Sequence, residues 1–573
     1  MPGEHASAAL LGALSKLLAE LQHVSLRLEV PGVQEARRRR AEVQDQMSDY
    51  VIPRLVQLDA PLLTVVGGST GAGKSTLVNS LVGSVVTESG VLRPTTRSPV
   101  LVHNPADREW FLPDRILPDL PRTNVSTNDT YALRLASSTK VPPGLAILDA
   151  PDVDSIDEGN RKLAAQLLAA ADLWLFVTSA ARYADQVPWD YLRMAAERSA
   201  SVAVVLDRTP DEAVVEVRGH LARMMTSRGL SDSPLFTVPE AELDDEGLLP
   251  SRSVEPIVTW LHDLAGDSAA RALVVGQTID GAIRHNVVGI HDVVDAMGAQ
   301  LEAAAELQRQ VETAYDDALE SVARRSVDGT LLRGELLGRW QEFVGSGEIL
   351  RSVEEKVSRI RDRVMDGVTG KRTRSSEVGE AIERGLQMLL VEQAEAAAEA
   401  ATRSWASTAA GRALLDQTRG LDGASRELRT RAERTVRDWQ QGILELVRAE
   451  GSDKRMTARF LAFGVSGISV MVEIVMFARE AGAAGADTGE TAAIGRRLLE
   501  AIFGEDGVGE LLSRTHADLT SRVDTLLDAE RQRYLSLLDA PETIVERQGN
   551  LRDAARLAEY ARHADFLNGE MTS

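Results

Sequence analysis

The sequence predicts an α/β domain, built on a mostly parallel sheet with helices on both faces, followed by a long all-α half. Three observations carry this expectation. Between residues 62 and 267, short and nearly continuous apolar runs alternate with helix-compatible stretches, the pattern of strands buried on both faces. The first run, Leu62-Leu63-Thr64-Val65-Val66, leads into Gly68-Ser69-Thr70-Gly71-Ala72-Gly73-Lys74-Ser75, a glycine-rich turn that opens a helix. After Asp267 strand-like runs nearly vanish and apolar residues recur at helical spacing. A chain of 573 residues is expected to hold about two to four domains. The boundaries read as 1–55, 56–266, 267–452, 453–500 and 501–573.

At the N-terminus, Leu10, Leu14, Leu17, Leu21, Val24 and Leu28 form a heptad-like seam, which predicts a helix ending at Pro31-Gly32. A second helix is expected from Val33 to Val51; on it the run Arg37 to Arg40 reads as a solvated charged face. These N-terminal helices are expected to pack on the helical half. Glu4 and His5 stand where a secretion signal would carry basic residues, which predicts a cytoplasmic protein. The strands expected next are Leu62–Val66, Val100–His103, Leu145–Asp149, Leu173–Thr178, Val202–Leu206 and Leu235–Val238. Beyond Asp267, Ile279, Ile283, Val287, Ile290, Val294, Met297 and Leu301 trace one stripe of a long helix, and Leu512, Leu519, Val523 and Leu526 trace another. Breaks are expected near 345–347, 367–376 and 420–423 in an arrangement of long antiparallel helices, with 501–573 returning to the bundle.

Phe460 to Ala478 is a nineteen-residue apolar stretch with Glu473 as its only charge, flanked by Lys454, Arg455, Arg459 and Arg479. Its length is at the threshold for spanning a bilayer, and a central acid is expensive in lipid. A buried bundle helix, a spanning or hairpin anchor, and a tip inserted into one leaflet all fit. Residues 453–500 are therefore a candidate membrane-contacting segment, which would place the protein peripherally at the inner face of the cell membrane. A net charge of −22 excludes a general affinity for nucleic acid or anionic lipid, so any such contact needs a local patch. With no cysteine, disulfides, thiolate metal sites and cysteine nucleophiles are excluded. The nine histidines form no metal-ligand spacing.

The glycine-rich turn fits G-x-x-x-x-G-K-[ST]: its backbone N–H groups close around phosphate oxygens at a helix N-terminus. Gly68 through Thr76 are thus candidate nucleotide-binding residues, with Lys74 on the β- and γ-phosphates and Ser75 on Mg²⁺. Lysine is scarce, seven against 57 arginines, so its presence in this slot weighs against a merely structural turn. Leu145–Asp149 is an apolar strand ending in an acid, as needed to hold Mg²⁺ through water. Arg93-Pro94-Thr95-Thr96-Arg97-Ser98-Pro99 lies where a switch loop would sit, and Asp207-Arg208 ends the strand from which a base-reading loop should emerge.

With these segments in place, the chain resembles dynamin-like GTPases, within the translation-factor-related class of P-loop proteins. The phosphate loop and Thr96-Arg97-Ser98-Pro99, similar to the T-R-R-P of dynamins, carry the resemblance over roughly residues 60–265. Arg182-Tyr183-Ala184-Asp185, Pro188-Trp189 and Arg339-Trp340-Gln341-Glu342-Phe343-Val344-Gly345 are similar to a group of actinobacterial dynamin-like proteins. The resemblance implies a G domain with a helical stalk, GTP as substrate and Mg²⁺ as cofactor. Lys74, Thr96 and Asp149 would be catalytic, Ser75, Thr96 and Asp149 metal-binding, and Asp207 and Arg208 at the base; Thr95 is the alternative to Thr96. It also implies self-association, with itself or a related GTPase, a lipid membrane as a further partner, and none among nucleic acids.

Three departures weaken efficient hydrolysis more than binding. Asp149-Ala150-Pro151-Asp152 puts Asp152 in place of the D-x-x-G glycine, and Thr70 stands where dynamins carry a catalytic Gln. Asp207-Arg208-Thr209-Pro210 puts Pro210 where the guanine-reading carboxylate belongs, leaving Asp211 or Asp207 to substitute. Arg93 and Arg97 could offset phosphate charge in cis or across a dimer. Competing readings are a soluble regulatory switch with slow or no hydrolysis, and an ABC-type ATPase; no L-S-G-G-Q signature follows and Ala150 replaces the Glu such enzymes need.

Overall fold

The computed structural model describes residues 2–88, 98–112, 116–117, 120–125, 129, 131–155, 158–197, 201–344, 364–450, 458–480 and 486–570. The chain divides into two compact units. One comprises Met1–Leu26, Gly32–Gly298 and Val545–Ser573; the other comprises Arg27–Pro31 and Ala299–Ile544.

Among the described residues the first unit is built on an eight-stranded sheet. Its strands are β1 (Leu62–Gly68), β2 (Val100–His103), β3 (Arg122–Thr123), β4 (Leu133–Ser137), β5 (Leu145–Asp149), β6 (Leu173–Ser179), β7 (Ser201–Thr209) and β8 (Leu235–Pro239). They lie in the order β3-β4-β2-β5-β1-β6-β7-β8. All neighbours are parallel except β2 and β5, which run antiparallel with Val100 opposite Asp149. Every residue of β1, β5 and β6 is buried, which is why these strands read as unbroken apolar runs. The six strands expected from sequence are present. β3 and β4 were not anticipated, because β3 is two residues long and β4, Leu-Arg-Leu-Ala-Ser, buries only its first residue fully.

The starts of β1 and β6 are fixed by one buried acid. Asp172 accepts hydrogen bonds from Arg54 Nε (2.9 Å), Tyr50 Oη (3.0 Å) and the Leu63 N–H (2.8 Å). Arg54 and Asp172 are 6 % and 1 % exposed, so this ion pair is shielded from water. Arg54 also donates to the Gln57 and Ala60 carbonyls, and Thr278 Oγ1 donates to the Asp172 carbonyl. The N-terminal segment, the sheet and the helix Ser268–Arg325 therefore meet at a single residue.

The first helix, Pro2–Gln22, is shorter than its seam of leucines predicts. Val24 and Leu26 are buried beyond its end, and their carbonyls need donors. Arg40 donates to the Val24 carbonyl (2.6 Å) and Arg37 to that of Leu26 (2.9 and 2.7 Å), so two members of the arginine run are structural clamps. Arg38 keeps the expected solvated role beside Glu35, while Arg39 pairs with Glu42 and Asp292. Arg39 of the N-terminal helices reaches Asp292 on Ser268–Arg325, and the first part of that helix meets Pro541–Glu570, where Arg562 binds Asp280 and Gln548 donates to the Val294 carbonyl.

The second unit is helical. Its core holds Trp340, Trp405, Trp439, Tyr315, Tyr534 and Phe477, all fully buried. Trp405 donates to the Leu307 carbonyl and Trp439 to that of Thr515, each at 3.0 Å, so two buried indoles are satisfied by helix backbone. The break expected at 367–376 is absent: Val364–Ala406 is one helix, because isolated glycines weaken a helix without ending it. The turn at 420–423 is present, and the buried Glu530 holds it by accepting from the Ser425 N–H (2.8 Å) and hydroxyl. Residues 345–347 lie outside the described residues.

The apolar stretch forms the helix Ala458–Phe477, interrupted at Gly464 (φ 66°, ψ 173°). Ile468 and Val470 to Phe477 are buried in the core of this unit. Among the described residues no helix is long and apolar enough to cross a membrane. Glu473, 2 % exposed, accepts from Gln440 Nε2 at 3.1 Å, and burial pushes its carboxyl up to about 8.

Both buried acids can be tested directly. Asp172→Ala leaves Arg54 buried without its counter-charge, and chemical denaturation should register a loss of about 3 kcal/mol or more. For Glu473 the folded-state proton is held up to about pH 8, against 4.5 for a glutamate side chain free in water. Stability should therefore fall as pH rises between these values, by at most about 1.4 kcal/mol per pH unit from this group. Glu473→Gln should remove that slope, and unfolding curves at pH 5, 7 and 9 check it.

Candidate functional site

The phosphate-loop pattern lies at the carboxyl end of β1, between the ends of β5 and β6, where open α/β sheets place their ligands. Its two flanking glycines are required by geometry. At Gly68 (φ 149°) a Cβ would collide with the Val177 carbonyl of the adjacent strand. At Gly73 (φ 96°) it would collide with the Asp207 carboxylate. Gly71 has φ 75°, and Ala72 is fully buried with its N–H on the Ser69 carbonyl (3.1 Å). The helix Lys74–Val82 then begins, with Thr76 in its first turn.

Lys74 is 5 % exposed and its ammonium donates to the Gly68 and Ser69 carbonyls, both at 3.1 Å, and to Asp152. Ser75 Oγ donates to Asp149 Oδ2 at 2.7 Å, and so does Thr87 Oγ1 at 2.8 Å. Asp149 is completely buried, which raises its carboxyl pKa against the opposing hydrogen bonds from Ser75 and Thr87 and the charge of Lys74. Among the described residues its other oxygen, Oδ1, has no hydrogen-bond partner. A buried carboxylate oxygen without a partner beside a serine hydroxyl fits a divalent cation reached directly or through water. Among the described residues no group of three or more His, Asp or Glu could hold a metal by itself, so such an ion would need phosphate or water for the rest of its shell.

Several participants were not identified from sequence. Thr87 is positioned by Asn79, whose Oδ1 accepts the Val86 and Thr87 N–H groups (2.8 and 2.9 Å) and whose amide donates to the Thr87 carbonyl. Asp154 Oδ1 accepts from the N–H and hydroxyl of Thr70 at 2.6 and 2.7 Å, and its Oδ2 accepts from Arg182 at 2.8 Å. Nothing in local spacing marks these pairs; Asp154 and Thr70 are 84 positions apart. Thr95, Thr96, Arg93 and Arg97 lie outside the described residues.

At the end of β7, Asp207 and Arg208 both pack against Gly73. Asp207 accepts the Arg208 N–H at 2.8 Å, and burial pushes its carboxyl up to about 6. Arg208 has φ 49°, a strained backbone for an L-residue of the kind found where a site over-determines its geometry. Asp211 is exposed at the start of a short 3₁₀ turn. Near Trp189, the Tyr183 carbonyl accepts the indole N–H (2.7 Å) and Arg228 stacks on the ring at 4.2 Å, so this part of the resemblance is structural.

No family model matches the chain. Among curated proteins it is 22 % identical over 250 residues to the probable transmembrane GTPase FZO-like, chloroplastic, of Arabidopsis thaliana. The match takes in 42 % of this chain and 26 % of that protein, so the chain spans about a quarter of the curated relative's length. Among solved structures it is similar to a chain of an oligomerised bacterial dynamin pair described as sensing and tethering membranes at long range. That similarity has TM-score 0.42 and 10 % identity, over 98 % of this chain and 96 % of the other. LeoA, a bacterial dynamin GTPase from ETEC, matches at TM-score 0.23 and 12 % identity over 99 % and 98 % of the two chains. Toc33 of Arabidopsis thaliana, solved with GDP and Mg²⁺, matches at TM-score 0.22 and 17 % identity over 42 % of this chain and 92 % of its own.

Asp207 supplies a test of the site's electrostatics. Its carboxyl titrates near 6 when folded, against 3.8 for an aspartate side chain free in water, so ionising it costs stability as pH rises across that window. Asp207→Asn keeps the acceptor for Arg208 and should raise the melting temperature at pH 7, with the gain vanishing at pH 4.

Proposed function

We propose that this chain is a dynamin-like GTPase that binds and hydrolyses GTP with Mg²⁺, self-associates through its G domain and couples this to its helical part and to membrane contact. One observation carries the nucleotide reading: Lys74, Ser75 and Asp149 converge at the carboxyl end of β1, with Asp149 Oδ1 buried and, among the described residues, unpartnered. In this reading Gly68 to Thr76 wrap the phosphates, Lys74 neutralises them, and Ser75 and Asp149, joined by Thr96, hold the ion. Mg²⁺, when bound, neutralises charge on the β- and γ-phosphates. Asp207 and Arg208 line the base side through their packing on Gly73. Guanine as the base, hydrolysis, self-association and lipid as a partner rest on the likeness to dynamins.

A second reading is a regulatory GTP-binding switch with slow turnover and no membrane contact. The burial of Ile468 and Val470 to Phe477 in the helical core favours it, since that surface is already covered.

Nucleotide affinity and turnover measured with and without liposomes separate the two. Lys74→Ala should weaken GTP binding about tenfold or more, the loss of charge-assisted hydrogen bonds to phosphate, while leaving the melting curve of the helical part in place. The dynamin-like reading expects turnover per molecule to rise with protein concentration and with lipid. Flat turnover under both conditions, with GTP still bound, supports the switch. Competition by ATP as strong as by GTP would remove guanine specificity.

A further inference from the structure

We infer that Asp152 sets the phosphate-number preference of the site: on the Lys74 ammonium it takes the place of a phosphate oxygen, so any phosphate that reaches Lys74 must displace it, and a triphosphate brings one more negative group against the displaced carboxylate than a diphosphate does. This inference rests on the nucleotide reading above.

An ammonium carries three protons. Those of Lys74 go to the Gly68 carbonyl, the Ser69 carbonyl and the Asp152 carboxylate. The two carbonyls belong to the backbone of β1 and its loop, fixed by the pairing of Gly68 with Val177 and by the Val153 N–H on the Gly68 carbonyl (3.3 Å). Asp152 is the exchangeable partner. It sits on the loop after β5 and is 22 % exposed, whereas Lys74 is 5 % exposed.

The neighbouring acid repeats the pattern. Asp154 takes the Thr70 N–H at the tip of the same loop and pairs with Arg182, so a second carboxylate uses a donor that a phosphate loop offers to an anion. The loop after β5 thus supplies two internal anions to the loop after β1. When a terminal phosphate takes the third proton of Lys74, the Asp152 carboxylate is left beside it, and the two negative charges repel. A glycine at this position would carry no such charge.

The experiment uses the full chain, fluorescent N-methylanthraniloyl guanine nucleotides, and displacement by unlabelled GDP and by the non-hydrolysable triphosphate GMPPNP at fixed Mg²⁺. In Asp152→Asn the ratio of triphosphate to diphosphate Kd should fall about fivefold or more, the scale of one like-charge contact at about 4 Å even with the screening of bulk water. Asp152→Gly should shift the ratio in the same direction, and circular dichroism melts check that both variants fold. A ratio within about twofold of wild type in both variants would overturn the inference. So would weaker triphosphate binding, which would make Asp152 a supporting group for the ion or phosphate. If wild type binds neither nucleotide, or Lys74→Ala binds as well as wild type, the nucleotide reading itself falls and this inference with it; an unchanged ratio in a chain that binds both nucleotides condemns only the role of Asp152.

Discussion

The geometry of the phosphate loop depends on an ion pair at the other end of its strand. Asp172, buried at the start of β6, grips the Leu63 N–H of β1 and is neutralised by Arg54 from the N-terminal segment. A single unpaired acid at this depth would be intolerable, and a single arginine equally so; each is admitted by the other and by Tyr50 and the Ala60 carbonyl. With its start fixed, β1 reaches Gly68 in one rigid run, paired on one side with β5 and on the other with β6. The loop then inherits its position from three strands, and the N-terminal helices are part of that frame through Arg54 and Tyr50.

At the carboxyl end the balance of charge is tighter. Lys74 and Arg182 face Asp152 and Asp154, while Asp149 is shared by the hydroxyls of Ser75 and Thr87. Lys74 and Arg182 are thus each matched by an acid from the segment after β5. That arrangement keeps the loop ordered around its own side chains, and it also means that an incoming anion competes with built-in ones. With Lys74 occupied by Asp152 and Thr70 by Asp154, the loops after β1 and β5 are held together by their own side chains.

Much of the fold was legible because burial on both faces leaves an unbroken apolar run, as in β1, β2, β5, β6 and the middle of β7; the partly buried β8 showed only the short run Leu235-Phe236-Thr237-Val238. β3 and β4 were not, since a two-residue strand, or one that buries only its first residue fully, carries no such signal. The phosphate loop was legible because its glycines and lysine are close together in sequence, and Gly68 and Gly73 are forced by contacts with Val177 and Asp207. What escaped were partners brought together only by folding: Asp152 on Lys74, Asp154 on Thr70 and Arg182, and Thr87 on Asp149. Arg37 and Arg40 escaped for a related reason. A run of arginines looks solvated until the backbone bends and leaves the Val24 and Leu26 carbonyls in need of donors.

The apolar helix Ala458–Phe477 illustrates how one charged residue can decide between environments that share the same hydrophobicity. Hydrocarbon and a protein core both accept Val470 to Met476, and burying each such apolar side chain contributes about 1.5–3 kcal/mol in either. Glu473 distinguishes them. In the core it finds the Gln440 amide, which also donates to the Gly379 carbonyl, and so ties three helices together. In lipid the same carboxyl would have to lose that partner. Because burial already holds Glu473 above the usual carboxylate range, it sits in the core largely neutral near pH 7, and the cost of transfer is the lost hydrogen bond and packing with little contribution from charge. Packing around Phe477 and Trp439, whose rings lie 6.0 Å apart, is then what keeps this helix in the bundle. Any ligand or surface that draws it out must replace that contact and the Gln440 hydrogen bond together.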